Sequence, residues 1–175
     1  MTRPFVAVLM GSDSDLPVMK VTLETLATFG VPYEVRISSA HRTPAATAEY
    51  VADADQRGCA VFIAAAGLAA HLAGAVAAHT IRPVIGVPME GGPLNGFDAL
   101  LSTVQMPGGI PVASVAIGKA GAKNAAYLAT QILALQDSGL AQRLKDDRAR
   151  TAEQIAAPTK PSFYREIDSC PIPPP

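Results

Sequence analysis

Charged residues are scarce in this sequence: they make up 17% of its 175 residues, where soluble domains carry about 25%. The formal net charge is only -1, so there is no excess of either sign to attract nucleic acid or an acidic membrane surface. Hydrophobic residues make up 49% of the chain. A soluble chain of this composition is expected to bury part of its surface against copies of itself, so we expect a homo-oligomer.

Long apolar runs and cysteine patterns are also missing. No apolar run approaches the roughly 20 residues that a membrane-spanning helix needs, and the first residues lack a signal-peptide pattern. The two cysteines, Cys59 and Cys170, have neither metal-ligand spacing nor a disulfide framework around them. We therefore expect a cytoplasmic protein without a bound metal.

Several familiar motifs for cofactors and catalysis are absent as well. The segment Gly11–Asp15 lacks the second and third glycines of a dinucleotide-binding fingerprint. There is no Walker-type glycine-lysine loop, no His-Glu-x-x-His pair and no nucleophile elbow. Nothing in the sequence indicates nicotinamide or metal chemistry.

What the sequence does contain is a regular alternation of apolar strands and helices. The predicted strands are Phe5–Met10, Val31–Ile37, Cys59–Ala66, Pro83–Pro88 and Val112–Ile117. The predicted helices are Leu16–Phe29, Pro44–Arg57, Ala69–Ala78, Phe97–Val104, Ala120–Gln136 and Leu140–Ala156. Five such alternations predict an α/β fold, in which a mostly parallel five-stranded sheet carries helices on both faces.

The pattern predicts one domain over residues 1–157, followed by a proline-rich tail over residues 158–175. Pro158 and Pro161 interrupt any regular element, and the sequence ends in three consecutive prolines. No internal repeat or second domain boundary is visible. Alanine-rich helices, Ala69–Ala78 and Ala120–Gln136, suggest close helix contacts between subunits.

The segment Ser38–Pro44 is the strongest candidate for a functional loop. Thr43 is a good N-cap and Pro44 a good first helical residue, so His41 and Arg42 precede a helix N-terminus that favours anions. Arginine has a planar fork suited to phosphate, and histidine can gain or lose a proton near neutrality. The pair therefore suggests chemistry on a phosphorylated small molecule. The alternative is a polar loop with a solvated His and Arg.

Polar or small residues also follow the first and third predicted strands. After the first strand, Ser12 and Ser14 offer hydroxyls to a phosphate, and Asp13 and Asp15 can accept hydrogen bonds from ribose. The alternative is that Ser14 or Asp15 merely caps the next helix. Parallel strands with right-handed crossovers bring such loops to one edge of the sheet, which favours a binding site there.

The loop after the third strand consists of small or apolar residues as far as His71. A flat ligand can therefore lie close to the backbone at Gly67. His71 is alternatively an ordinary helix residue, and His79 a favourable cation near the end of the same helix.

Taken together, the motifs resemble the bacterial 5-(carboxyamino)imidazole ribonucleotide mutases of purine biosynthesis (PurE type, class I). The matching segments, in the order of that family, are Gly11–Asp15, Ser39–Pro44, Ala66–Leu72, Leu101–Pro107 and Ala116–Gly121. The resemblance implies a three-layer αβα fold of flavodoxin or Rossmann type, a ribonucleotide substrate, a homo-octamer, and neither metal nor organic cofactor.

The resemblance also assigns roles to individual positions. It implies that His41 is the catalytic histidine and that Arg42 holds the substrate nucleotide. The other positions that it places in the substrate site are Ser12, Asp13, Asp15, Ser39, Ala40, Gly67 and Leu68. Leu68 departs from the family, because a second glycine is usual there. The bulkier side chain must either turn away from the imidazole or narrow the pocket.

Two other functions stay open, the first by the resemblance and the second from the residues. A related class carboxylates the aminoimidazole ribonucleotide with free carbon dioxide. A phospho-acceptor receiver module also carries paired acids after its first strand, although it needs an aspartate at the end of the third strand. This sequence has Ala65, Ala66 and Gly67 there.

Overall fold

Parallel strands form the centre of the protein, seen here in a computed structural model that describes residues 3–156. The strands are β1 (Phe5–Met10), β2 (Tyr33–Ile37), β3 (Cys59–Ala66), β4 (Val84–Pro88) and β5 (Ala113–Ser114). They form a five-stranded sheet in the order β2-β1-β3-β4-β5, and every pairing is parallel. The predicted α/β fold is confirmed.

Helices cover both faces of this sheet. They are α1 (Leu16–Thr28), α2 (Pro44–Gln56), α3 (Leu72–Ala77), α4 (Phe97–Val104), α5 (Gly118–Ala134) and α6 (Ser138–Ala156). One core contains residues of α1, α5 and α6, and a second core contains residues of α2 and α3. The result is a three-layer αβα sandwich.

Strand β1 is apolar without interruption because it lies between two layers of helices. Val6 and Val8 point into the core shared with α1 and α5, whereas Ala7 and Leu9 point into the core shared with α2 and α3. Successive side chains of a strand face opposite sides, so a central strand between two helical layers needs apolar residues at every position.

The order of the strands fixes where ligands can bind. The chain passes from β1 to β2 on one side and then to β3 on the other side of β1, so the direction of winding reverses between β1 and β3. Met10 is in register with both Ile37 of β2 and Ala65 of β3. The loops that follow these strands therefore begin at the same level, at a topological switch point where α/β sheets bind ligands.

The fifth strand is much shorter than predicted. The sequence predicts Val112–Ile117, but only Ala113 and Ser114 belong to β5. Val115 still donates its N–H to the carbonyl of Gly86, 3.1 Å away, and the chain then turns into α5 at Gly118, which has a φ of +68°. An apolar run at the edge of a sheet indicates a strand, but it does not show where pairing stops.

Four of the six alanines of α5 do not lie where the sequence suggested. Ala122, Ala125, Ala126 and Ala129 are completely buried within the chain, in the core that contains α1. The hydroxyl of Thr22 on α1 donates to the carbonyl of Ala122, 2.7 Å away, which requires the two helices to approach closely. These small side chains therefore serve packing inside one subunit and are not available for the contact between subunits that the sequence suggested.

The predicted tail over residues 158–175 lies outside the described residues, so the division at residue 157 stays a prediction. Among the described helices, none combines the length and the apolar character that crossing a membrane requires. Within residues 3–156, no group of three or more His, Cys, Asp or Glu side chains is arranged to hold a metal ion.

Candidate active site

A pocket of about 460 Å³ lies at the carboxyl edge of the sheet. Its walls come from four loops, residues 11–15, 39–42, 66–72 and 90–92, which follow β1, β2, β3 and β4. Larger concave surfaces of about 700 and 980 Å³ lie between α5 and α6 and beside Arg82. We place the candidate site in the smaller pocket because it alone of these three combines two histidines, an arginine and the strand ends of the switch point.

The loop after β1 is held by hydrogen bonds around Ser12. Its hydroxyl donates to the Asp13 carboxylate, 3.1 Å away, and accepts from the backbone N–H and the hydroxyl of Ser14, 3.3 and 2.9 Å away. These bonds form a 3-10 turn over Asp13–Asp15 that leads directly into α1. Ser12 and Asp15 line the pocket, whereas Asp13 is exposed beside it and reaches the site only through Ser12.

Asp15 occupies the N-cap position of α1, but its side chain makes no capping hydrogen bond. The carboxylate is therefore free to accept hydrogen bonds from a ligand. Burial raises the pKa of Asp15 above its ordinary value of 3.8; a hydrogen bond from the backbone of Ser12 offsets part of this effect, and the charge of Asp13 adds to it. Capping alone does not account for an aspartate at this position.

The loop after β2 is built on Ser39. Its hydroxyl accepts from the N–H of Arg42, 3.2 Å away, and its carbonyl accepts from the N–H and the hydroxyl of Thr43, 2.8 and 3.0 Å away. Thr43 is the N-cap residue of α2, as predicted, but its side chain does not cap the helix because it donates backwards to Ser39. The turn presents the exposed side chains of His41 and Arg42, with Ala40 buried between the loop and the core.

His41 faces a second histidine. The ring centroids of His41 and His71 are 4.9 Å apart and the two planes are inclined by 31°. His71 is the N-cap residue of α3 and lines the pocket, so the structure favours a role in the site over an ordinary helical position. His79 lies just beyond α3 and lines a different cavity.

The loop after β3 contains an unusual backbone conformation. Leu68 has a φ of +54°, in the left-handed region that non-glycine residues rarely adopt. Its side chain is 54% exposed and lies against Gly92, where a Cβ would come within 2.7 Å of Leu68 Cδ2. Of the two outcomes that the sequence allowed for Leu68, the structure shows a side chain directed along the rim of the pocket towards the loop after β4.

Sequence reasoning missed the contribution of the loop after β4. No role was predicted from the sequence for residues 90–96, yet Glu90, Gly91 and Gly92 line the pocket. The signal was present, because β4 is the neighbour of β3 and its carboxyl end lies at the same edge. The Glu90 carboxylate lies over Gly118 at the start of α5, within 2.6 Å of the place a Cβ would occupy there. This contact explains why the segment Ala116–Gly121 has a glycine at that position.

Comparison with known proteins bears directly on this pocket. The model of the AIR carboxylase family matches residues 5–154, which include all four loops. The chain belongs to the AIR carboxylase family.

Members of this family with curated names are close in sequence. The protein named N5-carboxyaminoimidazole ribonucleotide mutase in Pyrococcus horikoshii is 53% identical over 157 residues, covering 88% of this chain and 88% of its own. Its namesake in Bacillus subtilis is 52% identical over 153 residues, covering 87% of this chain and 94% of its own. The crystal structure of Treponema denticola PurE is 33% identical and superposes with a TM-score of 0.79 over 87% of this chain and 94% of its own.

Proposed function

We propose that the protein is an isomerase of purine biosynthesis that converts N5-carboxyaminoimidazole ribonucleotide into the isomer carrying its carboxylate on ring carbon 4. The observation that carries the proposal is the position of His41 in a pocket formed by four strand ends, in a chain about half of whose residues are identical to those of the named mutases. A receiver module is not supported, because β3 ends at Ala66, Gly67 follows it, and no acceptor aspartate lies there.

We assign the proton transfer to His41. In the first step the bond between the exocyclic nitrogen and its carboxylate breaks, carbon dioxide leaves, and protonated His41 supplies the proton that the nitrogen needs. In the second step carbon 4 attacks carbon dioxide, and the now neutral His41 removes the proton from that carbon. The proton that is donated first is recovered at the end, so the reaction is balanced and requires no cofactor. General acid–base catalysis of this kind contributes about 10²- to 10⁴-fold.

The remaining side chains bind the nucleotide in this proposal. Arg42 pairs with the phosphate through its guanidinium fork, and the Asp15 carboxylate accepts hydrogen bonds from ribose hydroxyls. The Ser12 hydroxyl, which donates to Asp13 in the ligand-free chain, turns to donate to a phosphate oxygen. Ser39, Ala40 and Gly67 form the wall around the imidazole, and Leu68 lies at the rim of the pocket.

We also propose that the protein works as a cytoplasmic homo-oligomer, an octamer by the family resemblance. Large apolar side chains are exposed on the single chain: Ile81 is 98% exposed, Leu135 79% and Ile37, on the edge strand β2, 52%. His41 and Arg42 are exposed as well, so a neighbouring subunit can complete the site. Light scattering at micromolar concentration should give about eight times the 18.1 kDa chain mass. A single species of the chain mass would contradict assembly.

Direct carboxylation is the second candidate, because the matching family is described as AIR carboxylase. A turnover assay with each nucleotide, with and without added bicarbonate, distinguishes the two functions. The mutase should convert the carboxyamino nucleotide without bicarbonate. Saturable activity that appears only with the uncarboxylated nucleotide and bicarbonate would favour the carboxylase.

A further inference from the structure

Leu68 occupies a position that is unfavourable for leucine. Its φ of +54° places the β-carbon close to the backbone, a strain that glycine does not have. More than half of the side chain is exposed, so burial in the core does not offset the strain. A strained residue held at the rim of a pocket points to a function of the side chain itself.

The side chain of Leu68 closes the space between two loops. Its Cδ2 atom occupies the volume beside Gly92, where a Cβ would come within 2.7 Å. Gly92 is itself at a φ of +64°, so the loop after β4 presents a bare backbone to the leucine. Beneath this contact, Gly67 packs on Met89, with the Met89 carbonyl 3.5 Å from the site of a Cβ. Two layers of contact thus connect the loops, and Leu68 forms the outer one.

We propose that Leu68 is the side chain that retains carbon dioxide in the pocket between decarboxylation and recarboxylation. This inference rests on the proposed function, because it requires carbon dioxide as an intermediate. Carbon dioxide is small and uncharged, so a closed apolar wall holds it better than hydrogen-bonding groups do. With glycine at position 68, the outer contact with Gly92 is lost and the rim opens there. Leu68 is a positioning residue: it decides whether carbon dioxide is recaptured or escapes.

The escape of carbon dioxide can be measured with an isotope. The unlabelled 4-carboxylated nucleotide is incubated with the enzyme in ¹³C-bicarbonate with carbonic anhydrase, and ¹³C entering its carboxylate is followed by mass spectrometry. The rate of this exchange, divided by the rate of isomerisation, measures how often carbon dioxide escapes for each isomerisation. The variants are Leu68→Gly, which removes the side chain and relieves the backbone, and Leu68→Ala, which removes the contact but keeps a β-carbon.

Both variants should raise the ratio of exchange to isomerisation by at least about threefold, because both open the same gap. Leu68→Met, which keeps apolar bulk, should stay near the wild type. Leu94→Ala is the matched control: Leu94 is 59% exposed in the same loop as Gly92 but does not line the pocket, so its removal should leave the ratio unchanged.

The outcomes separate the inference from the proposed function. A wild type that turns over neither nucleotide overturns the proposed function itself. If the wild type isomerises its substrate and both variants keep its ratio, only the role of Leu68 is wrong. A wild-type ratio near one also overturns that role, because carbon dioxide then escapes freely at every turnover. A rise with Leu68→Gly but not with Leu68→Ala would assign the effect to the backbone and contradict the side-chain wall.

Discussion

The imidazole of His41 lies against that of His71, with the ring centroids 4.9 Å apart and the two planes inclined by 31°. The two residues come from the loops after β2 and β3, which lie on opposite sides of β1 in the sheet. Two rings that can each donate or accept a proton therefore face the same pocket. The surroundings of the two histidines differ, because His41 precedes a helix of 13 residues whereas His71 precedes one of only 6.

The first prediction concerns His41→Asn. Asparagine keeps a polar side chain of similar reach but does not exchange protons near neutral pH. Turnover should fall by about two to four orders of magnitude, and nucleotide binding measured by calorimetry should be retained. Turnover within about tenfold of the wild type would rule out the shuttle proposed here, and a parallel loss of affinity would make His41 a binding residue.

His71→Asn provides the matched comparison for His41→Asn. If His71 only supports the ring of His41, turnover should fall less than in His41→Asn, because the proton-transferring imidazole remains. Steady-state rates of the two variants under the same conditions decide this. A larger loss in His71→Asn than in His41→Asn would exchange the two roles.

Arg42→Lys should weaken binding of the nucleotide by roughly 1–3 kcal/mol, the scale of a charge-assisted hydrogen bond. Lysine keeps the charge but loses the planar fork that matches a phosphate. Calorimetry with the nucleotide and with the nucleoside lacking its phosphate measures the effect. Equal affinity of the wild type for both ligands would show that Arg42 does not bind phosphate.

The Asp15 carboxylate should lower the stability of the fold but strengthen nucleotide binding. Burial raises its pKa in the folded chain above the ordinary value of 3.8, so the ionised carboxylate opposes folding above that raised pKa, and the effect disappears below 3.8. Asp15→Asn should therefore raise the melting temperature of the ligand-free protein at neutral pH and not at pH 3.

The same carboxylate should accept stronger hydrogen bonds from the nucleotide when it is ionised than when it is protonated. Affinity in the wild type should therefore fall as the pH is lowered through the raised pKa of Asp15, and Asp15→Asn should bind weakly without this pH dependence. A variant that is more stable yet binds as tightly as the wild type would remove Asp15 from the site.

Gly121→Ala should destabilise the fold. A Cβ at Gly121 would lie 1.5 Å from the carbonyl oxygen of Ala116, which the backbone cannot accommodate without moving α5. Overpacking of this kind costs about 3 kcal/mol or more where the backbone must shift. Gly108→Ala is the control, because no heavy atom lies within 4 Å of a Cβ there. Denaturant unfolding of both variants measures the difference, and similar midpoints would contradict the steric argument.

The sequence predicts the elements best where both faces are covered. The bounds of β1 and β3 agree with the predicted runs Phe5–Met10 and Cys59–Ala66, because burial on two sides leaves no polar position within the strand. The bounds of β5 do not agree, since pairing at the edge of a sheet depends on how far the neighbouring strand extends. The predicted packing partner of the buried alanines in α5 was wrong for a related reason. Small side chains indicate that another element packs closely, but they do not indicate which element it is.

The site was predicted as a set of loops but not as an arrangement of side chains. Parallel strands bring their carboxyl ends to one edge, so the positions of His41, Arg42 and Asp15 at a common pocket followed from the order of the elements. The contact between the rings of His41 and His71 depends on rotamers and on turn geometry, which no spacing in the sequence encodes. Glu90 was missed because no role was predicted from the sequence for the glycine-rich connection after β4, which forms a fourth wall of the pocket.

The hydrogen bond between Thr22 and Ala122 has a consequence for synthesis. A ribosome has made all four pocket loops by residue 92, but the face of α1 that carries Met19 and Leu26 shares its core with α5, which begins at Gly118. A nascent chain released before α5 should therefore aggregate although it contains every residue assigned to catalysis. Because α5 is synthesised after the pocket loops, the solubility of the N-terminal part of the chain depends on the part that begins at Gly118.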